Sequence, residues 1–128
     1  MGIKWKTIQK AQPGVAGGGT KKHYASIVTN GEVTIDDLVK EIEKFSALSE
    51  PDIRGVIIAL ENVIQNKLAD SQVVRLDKLG TFYPTLNSEG KDKAEDVTQH
   101  SIKKVNVNYR AGARILATMK EAGFKKIE

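Results

Sequence analysis

The sequence predicts an α+β fold, and three observations carry that prediction. Stretches with period-two alternation occur near both ends of the chain, at residues 3–10 (IKWKTIQK) and 102–109 (IKKVNVNY). Between them lie two segments whose apolar residues recur at helical spacing, beginning at Thr34 and Ser49. A further helical segment closes the chain at about 112–122, with Ile115, Leu116 and Met119 turned inward. The expected order is strand, loop, strand, two helices, two strands, an arm, a strand and a helix, with no internal repeat.

In residues 3–10, Ile3, Trp5 and Thr7 alternate with Lys4 and Lys6. Pro13 and four glycines in AQPGVAGGG end that strand in a turn or loop. Residues 21–29 (KKHYASIVT) can pair back, with Tyr24, Ser26 and Val28 on one face, which makes residues 1–33 a β-hairpin extension. Thr34 is placed to cap the first helix, with Asp37 three residues on and Ile35, Leu38, Val39, Ile42 and Phe45 along one side. Ser49 starts the second helix in the same way, with Pro51 and Asp52 in its first turn. Its stripe runs through Ile53, Val56, Ile57, Leu60, Val63, Ile64 and Leu68, and Ile58 and Ala59 widen it beyond one face. A stripe that wide in a small protein predicts burial on two sides, the second supplied by a partner chain.

Residues 75–84 (RLDKLGTFYP) read as the end of one short strand, a tight connection and the start of another. On the second strand Thr81, Tyr83, Thr85 and Asn87 share a face, and Phe82 and Leu86 point the other way. Residues 87–101 (NSEGKDKAEDVTQHS) offer no bulky apolar side chain except Val97, which predicts an exposed arm or loop. In 102–109, Val105, Val107 and Tyr109 point one way, and Lys104, Asn106, Asn108 and Arg110 point the other.

At 128 residues with 40% hydrophobic and 28% charged side chains, the composition is that of one globular domain. The chain has no cysteine, which excludes disulfides and thiolate zinc sites and fits a reducing compartment. Its longest apolar run, Val56 to Leu60, is far short of the roughly 20 residues that span a bilayer. A soluble protein of the cytoplasm is expected. The net charge of +4 is unevenly spread: residues 1–33 carry +4, residues 34–70 carry −4 and residues 71–128 carry +4. A polyanion would meet the two basic ends.

Catalytic and metal chemistry find little support. His23 and His100 are isolated and lack metal-ligand spacing, and the adjacent carboxylates Asp36-Asp37 and Glu95-Asp96 do not face each other on a helix. GGGTKK lacks the Lys-Ser/Thr ending of a phosphate-binding loop. No cofactor or metal is expected. The polar faces of residues 81–87 and 104–110 combine hydrogen-bond donors with positive charge, and Arg114 lies in the first turn of the last helix, where backbone N–H groups also favour phosphate.

The region from Thr34 to Lys120 resembles the HU/IHF family of bacterial histone-like DNA-binding proteins. The resemblance rests on two helices followed by VVRLDKLGTF, with Gly80, Thr81 and Phe82 matching the family's Gly-Thr/Ser-Phe, and on VNYRAGARI, where Arg110 and Gly112 match the segment that opens its last helix. It implies an intertwined homodimer with a helical base, a β-sheet saddle and protruding β-arms that reach around double-stranded DNA in the minor groove. It also implies an architectural role in the nucleoid, in which a DNA bend costing about 1–6 kcal/mol is offset by added phosphate contacts. The candidate DNA-binding residues are Arg75, Lys103, Lys104, Asn106, Arg110 and Arg114 on the body, with Lys91 and Lys93 on the arm of about 87–101.

Several positions depart from the family. The arm has neither arginine nor proline, and sets Lys91 and Lys93 against Glu89, Asp92, Glu95 and Asp96. Thr85 and Asn87 stand where arginines are common, Pro84 falls inside a strand, Ala111 replaces a proline and Ala113 a lysine. Residues 1–33 have no counterpart in the short members, though longer relatives carry N-terminal additions, and their five lysines add charge that the arm lacks. These departures keep a second reading open, in which the dimer serves as a protein-interaction or structural module with little DNA affinity.

Overall fold

The computed structural model describes residues 2–127. The chain divides into two compact units. One joins the N-terminal segment up to Thr34 with the C-terminal segment from Ala117, and the other is Ile35–Leu116.

The first unit is a three-stranded sheet of β1 (Ile3–Lys10), β2 (Lys22–Ile27) and β6 (Phe124–Lys126), in the order β2-β1-β6. β1 and β2 form the expected antiparallel hairpin, in register from Trp5 opposite Ile27 to Lys10 opposite Lys22. The glycine-rich connection is closed by Gln12, whose backbone N–H donates to the Gly18 carbonyl at 2.9 Å and whose side chain donates to the Thr20 carbonyl at 2.7 Å. β6 lies parallel to β1, with Ile3 opposite Phe124 and Trp5 opposite Lys126. Periodicity could not reveal it, because three residues are too few to show alternation and their pairing is non-local.

The second unit begins with α1 (Ile35–Lys44), with Asp36 and Asp37 in its first turn, and α2 (Glu50–Ala69). The Ser49 side chain accepts from the backbone N–H of Asp52 and caps α2 as expected, with a proline in the first turn. The two helices pack on each other, and α2 packs on the sheet of β3 (Val74–Arg75), β4 (Gly80–Ser88) and β5 (Ile102–Ala111), in the order β3-β4-β5. After β5, α3 (Ala113–Ala122) completes the α+β architecture.

Pro84 fits the middle of β4 for a reason of geometry. The Gly80 carbonyl accepts from Leu76 N–H, so residues 80, 82 and 84 turn their backbone polar groups toward β3. β3 has ended before Pro84 is reached, so the N–H that proline lacks would have faced an open edge.

Of residues 87–101, expected as an arm or loop, Asn87 and Ser88 instead end β4, and 89–101 form a loop with two short 3₁₀ turns, Ala94–Asp96 and Gln99–Ser101. Glu89 N–H donates to the Ser101 carbonyl at 2.8 Å and closes the loop at its base. Thr98 and Ser101 cap each other reciprocally, which satisfies the hydroxyl of the buried Ser101.

Few apolar side chains are buried. Among the described residues only Val39 and Ile53 are fully withdrawn from solvent, at 0% and 3% exposure. Phe45, Val56, Ile58, Leu60 and Val63 on the helices remain exposed, with Phe45 at 89% and Val56 at 60%. Leu86, Val105, Val107 and Tyr109 on the apolar side of the sheet are exposed as well. A single copy of these elements leaves much of the apolar surface of its own helices and sheet uncovered.

Candidate nucleic-acid interface

Residues directly opposite each other in an antiparallel ladder share a face. The register of β4 and β5 therefore sorts their side chains. Phe82 with Tyr109, Pro84 with Val107 and Leu86 with Val105 form one side, and Thr81 with Arg110, Tyr83 with Asn108, Thr85 with Asn106 and Asn87 with Lys104 form the other. β3 adds Arg75 to the polar side through its pairing with Thr81. Arg75, Thr81 and Arg110 thus make a basic row across three strands.

Two glycines set this geometry. Gly80 has φ 140°, and a Cβ there would stand 2.5 Å from the Arg110 carbonyl oxygen and from the Tyr109 ring. A Cβ on Gly112 would stand 2.1 Å from the Lys78 carbonyl oxygen. The connection between β3 and β4 consequently seats directly against the end of β5, where Gly112 N–H donates to the Leu79 carbonyl at 3.3 Å and Tyr109 Oη donates to the same carbonyl at 2.7 Å. Tyr109 also packs on Phe82, with ring centres 5.3 Å apart. The apolar side anchors the turn while the polar side stays open.

On the polar side the Arg110 guanidinium lies over the Tyr83 ring at 5.2 Å, and Asn108 Nδ2 donates to Thr85 Oγ1 at 3.2 Å. Side chains on one face of a strand recur about every 6.7 Å, so Lys104 and Arg110 stand about 20 Å apart with amide and hydroxyl groups between them. Among the described residues, no carboxylate pairs with Arg75, Lys104 or Arg110. Exposed cations flanking neutral donors are suited to hold phosphate oxygens without reading base edges.

The ladder therefore brings together Arg75, Lys104, Asn106 and Arg110 of the candidate residues. Lys103 is the extra residue at a β-bulge, since Asn87 pairs with Lys104 and Ser88 with Ile102, and it falls outside the alternation. Lys91 and Lys93 lie on the loop beyond the ladder, and Lys91 is tied to Glu89 at 3.2 Å. Arg114 stands in the first turn of α3 and is engaged within the chain. Tyr83 lies on the polar side that alternation predicts for it, although it is not one of the residues named for phosphate contact. Its contribution as a platform under Arg110 comes from a diagonal cross-strand contact that one strand's pattern cannot show.

Among the described residues, no cluster of histidine, aspartate or glutamate is arranged to hold a metal ion. No described helix is long and apolar enough to cross a membrane.

A helical pair packed on a three-stranded antiparallel sheet, with the Gly-Thr-Phe and Arg-Ala-Gly segments meeting at its turn, defines an HU-like domain. The chain belongs to the HU-HIG family, described as an HU domain fused to a wHTH, Ig or glycine-rich motif, whose model matches residues 1–126. Among solved structures it is similar in fold to a provisionally designated bacterial DNA-binding protein from Bacteroides vulgatus, with a TM-score of 0.70 and 10% identity. That similarity covers 98% of this chain and 48% of the other, so the chain spans about half the length of that relative. A search of curated proteins found no match.

Proposed function

We propose that this chain is a non-enzymatic architectural protein of the bacterial nucleoid that binds double-stranded DNA with little sequence preference. The observation that carries the reading is the shared polar face of β3, β4 and β5, where Arg75, Lys104 and Arg110 frame Tyr83, Asn106 and Asn108. Its contacts are with the phosphates that border the minor groove, which carry no sequence information and so fit low specificity. The DNA-binding character of the HU family and of the similar structure supports the same partner.

The functional form is a homodimer. The apolar residues left open on α1 and α2, with Val105 and Val107 on the sheet, supply the surface that a second copy covers. Residues 1–33 extend this HU-like domain, and the 87–101 segment serves as its arm.

A salt titration of the full chain on duplex of mixed sequence tests the reading. The logarithm of affinity should fall linearly with the logarithm of salt, with a slope near −0.9 for each phosphate contacted. Failure to retain any duplex at low salt overturns it. The second reading, an HU-like module for protein interaction, draws on the Ile35–Leu116 unit, whose twelve basic and thirteen acidic residues leave it at −1. Charge reversal at Arg75 and Arg110 separates the two, since it abolishes DNA retention under the first and leaves partner binding intact under the second.

A further inference from the structure

The three-stranded sheet of β1, β2 and β6 gathers most of its lysines on one face. Its register places Ile3, Trp5, Ala25, Ile27 and Phe124 on one face, together with Thr7, Gln9, His23 and Lys126, the last over the Trp5 ring at 5.4 Å. The opposite face carries Lys4 opposite Lys125, Lys6 opposite Ser26, Ile8 opposite Tyr24 and Lys10 opposite Lys22. Five lysines thus share one face of a small sheet, and Lys10 also lies over the Tyr24 ring at 5.0 Å.

We infer that this lysine face is a second phosphate-binding surface, which takes the backbone of double-stranded DNA; the inference rests on the reading of the chain as a DNA-binding protein. Two observations carry it. The unit that contains the sheet holds eight lysines against three glutamates, a charge of +5, whereas the Ile35–Leu116 unit stands at −1. The net positive charge of the chain therefore lies with the appended sheet rather than with the HU-like unit. Moreover, Lys4 with Lys125 and Lys10 with Lys22 are like charges directly opposite each other, an arrangement that weakens strand pairing. A face that needed only solvation would intersperse acids, yet among the described residues no ion pair involves these lysines. A polyanion removes that repulsion.

Spacing favours a duplex. Lys4 and Lys10 stand about 20 Å apart along β1, and a duplex presents a phosphate about every 1.7 Å of its axis when both strands are counted. Several phosphates therefore fall within the span of these lysines. Tyr24 is the only aromatic residue on this face, too few for the successive stacked bases that a single-stranded ligand offers.

The test compares the full chain with a variant carrying Lys4→Gln, Lys6→Gln, Lys10→Gln and Lys22→Gln, titrated on a labelled duplex over a range of salt. The salt slope should fall in magnitude by about 3 to 4 for each chain in contact, near 0.9 for each lysine removed, and affinity at low salt should fall at least tenfold. The matching variant with arginine at the same four positions should bind like the unaltered protein. An unchanged slope in the glutamine variant, with unaltered binding through Arg75 and Arg110, overturns this surface and leaves the proposed function standing. Equal loss in the arginine variant also overturns it, because the effect would then follow the fold rather than the charge. Tighter binding to vesicles containing phosphatidylserine than to duplex at the same salt would assign the face to a membrane instead. A protein that binds no duplex in any form removes both readings together.

Discussion

The Arg110 guanidinium lies 5.2 Å from the centre of the Tyr83 ring, on the polar side of the sheet and diagonal to it across the β4–β5 pairing. The ring gives the guanidinium a cation–π partner on the polar face. Arg110→Gln should lower the magnitude of the salt slope by about 0.9 for each chain in contact and weaken DNA binding at low salt. Tyr83→Ala should weaken binding only about two- to fivefold, the worth of an exposed cation–π contact, with no change in slope. Anisotropy titrations of the two variants over salt check both values. Equal slopes for Arg110→Gln and the unaltered protein would remove Arg110 from the interface.

Gly80 and Gly112 bracket the turn that aims this surface. Gly112→Ala forces a Cβ against the Lys78 carbonyl, and Gly80→Ala adds strain at φ 140° to contact with the Arg110 carbonyl. Each should cost about 2 kcal/mol or more in urea unfolding. Gly55→Ala is the control. It lies inside α2 with open space around it, and should stabilise by about 0.5–1 kcal/mol. Similar losses at all three positions would refute the close approach at the turn.

Much of this architecture was legible because it is local. The capping serine at 49, the alternation of Val105, Val107 and Tyr109 against Lys104, Asn106 and Asn108, and the hairpin of residues 3–10 with 22–27 each follow from patterns within a few residues. The elements that escaped are non-local or irregular. β6 pairs in parallel with a strand more than a hundred residues earlier, and three residues carry no periodicity. The bulge at Lys103 follows from how β4 and β5 meet near the loop, which the pattern of one strand does not show. Lys125 shares a face with Lys4 only because β6 joins the sheet, and charge counts by segment could not bring those two lysines together.

The open apolar surface on α2 gives an assembly that can be measured. Val56, Ile58 and Val63 are all more than half exposed within one chain, as a surface awaiting a second copy would be. Light scattering should give twice the mass of 14.0 kDa, and the melting temperature should rise with protein concentration. Ile58→Glu combined with Val63→Glu should shift the mass toward one chain and abolish the concentration dependence. A monomer that melts cooperatively at every concentration would exclude the dimer.

The loop between β4 and β5 should contribute less to DNA binding than the sheet. Lys91 is already paired with Glu89, and Asp92, Glu95 and Asp96 leave the loop acidic despite Lys93. Phosphate approaching those lysines meets neighbouring carboxylates first, and exposed pairs of this kind are screened and weak. Lys91→Gln with Lys93→Gln should therefore reduce the salt slope by less than Arg110→Gln alone. Glu95→Gln with Asp96→Asn should tighten binding severalfold at low salt, an effect that fades as salt approaches physiological strength and the Debye length shortens to about 8 Å. A larger loss from the two loop lysines than from Arg110 would move the main contact from the sheet to the loop. The same titration series reads both pairs, because charge removed from a contact changes the slope and charge removed from a repulsive neighbour changes chiefly the affinity at low salt.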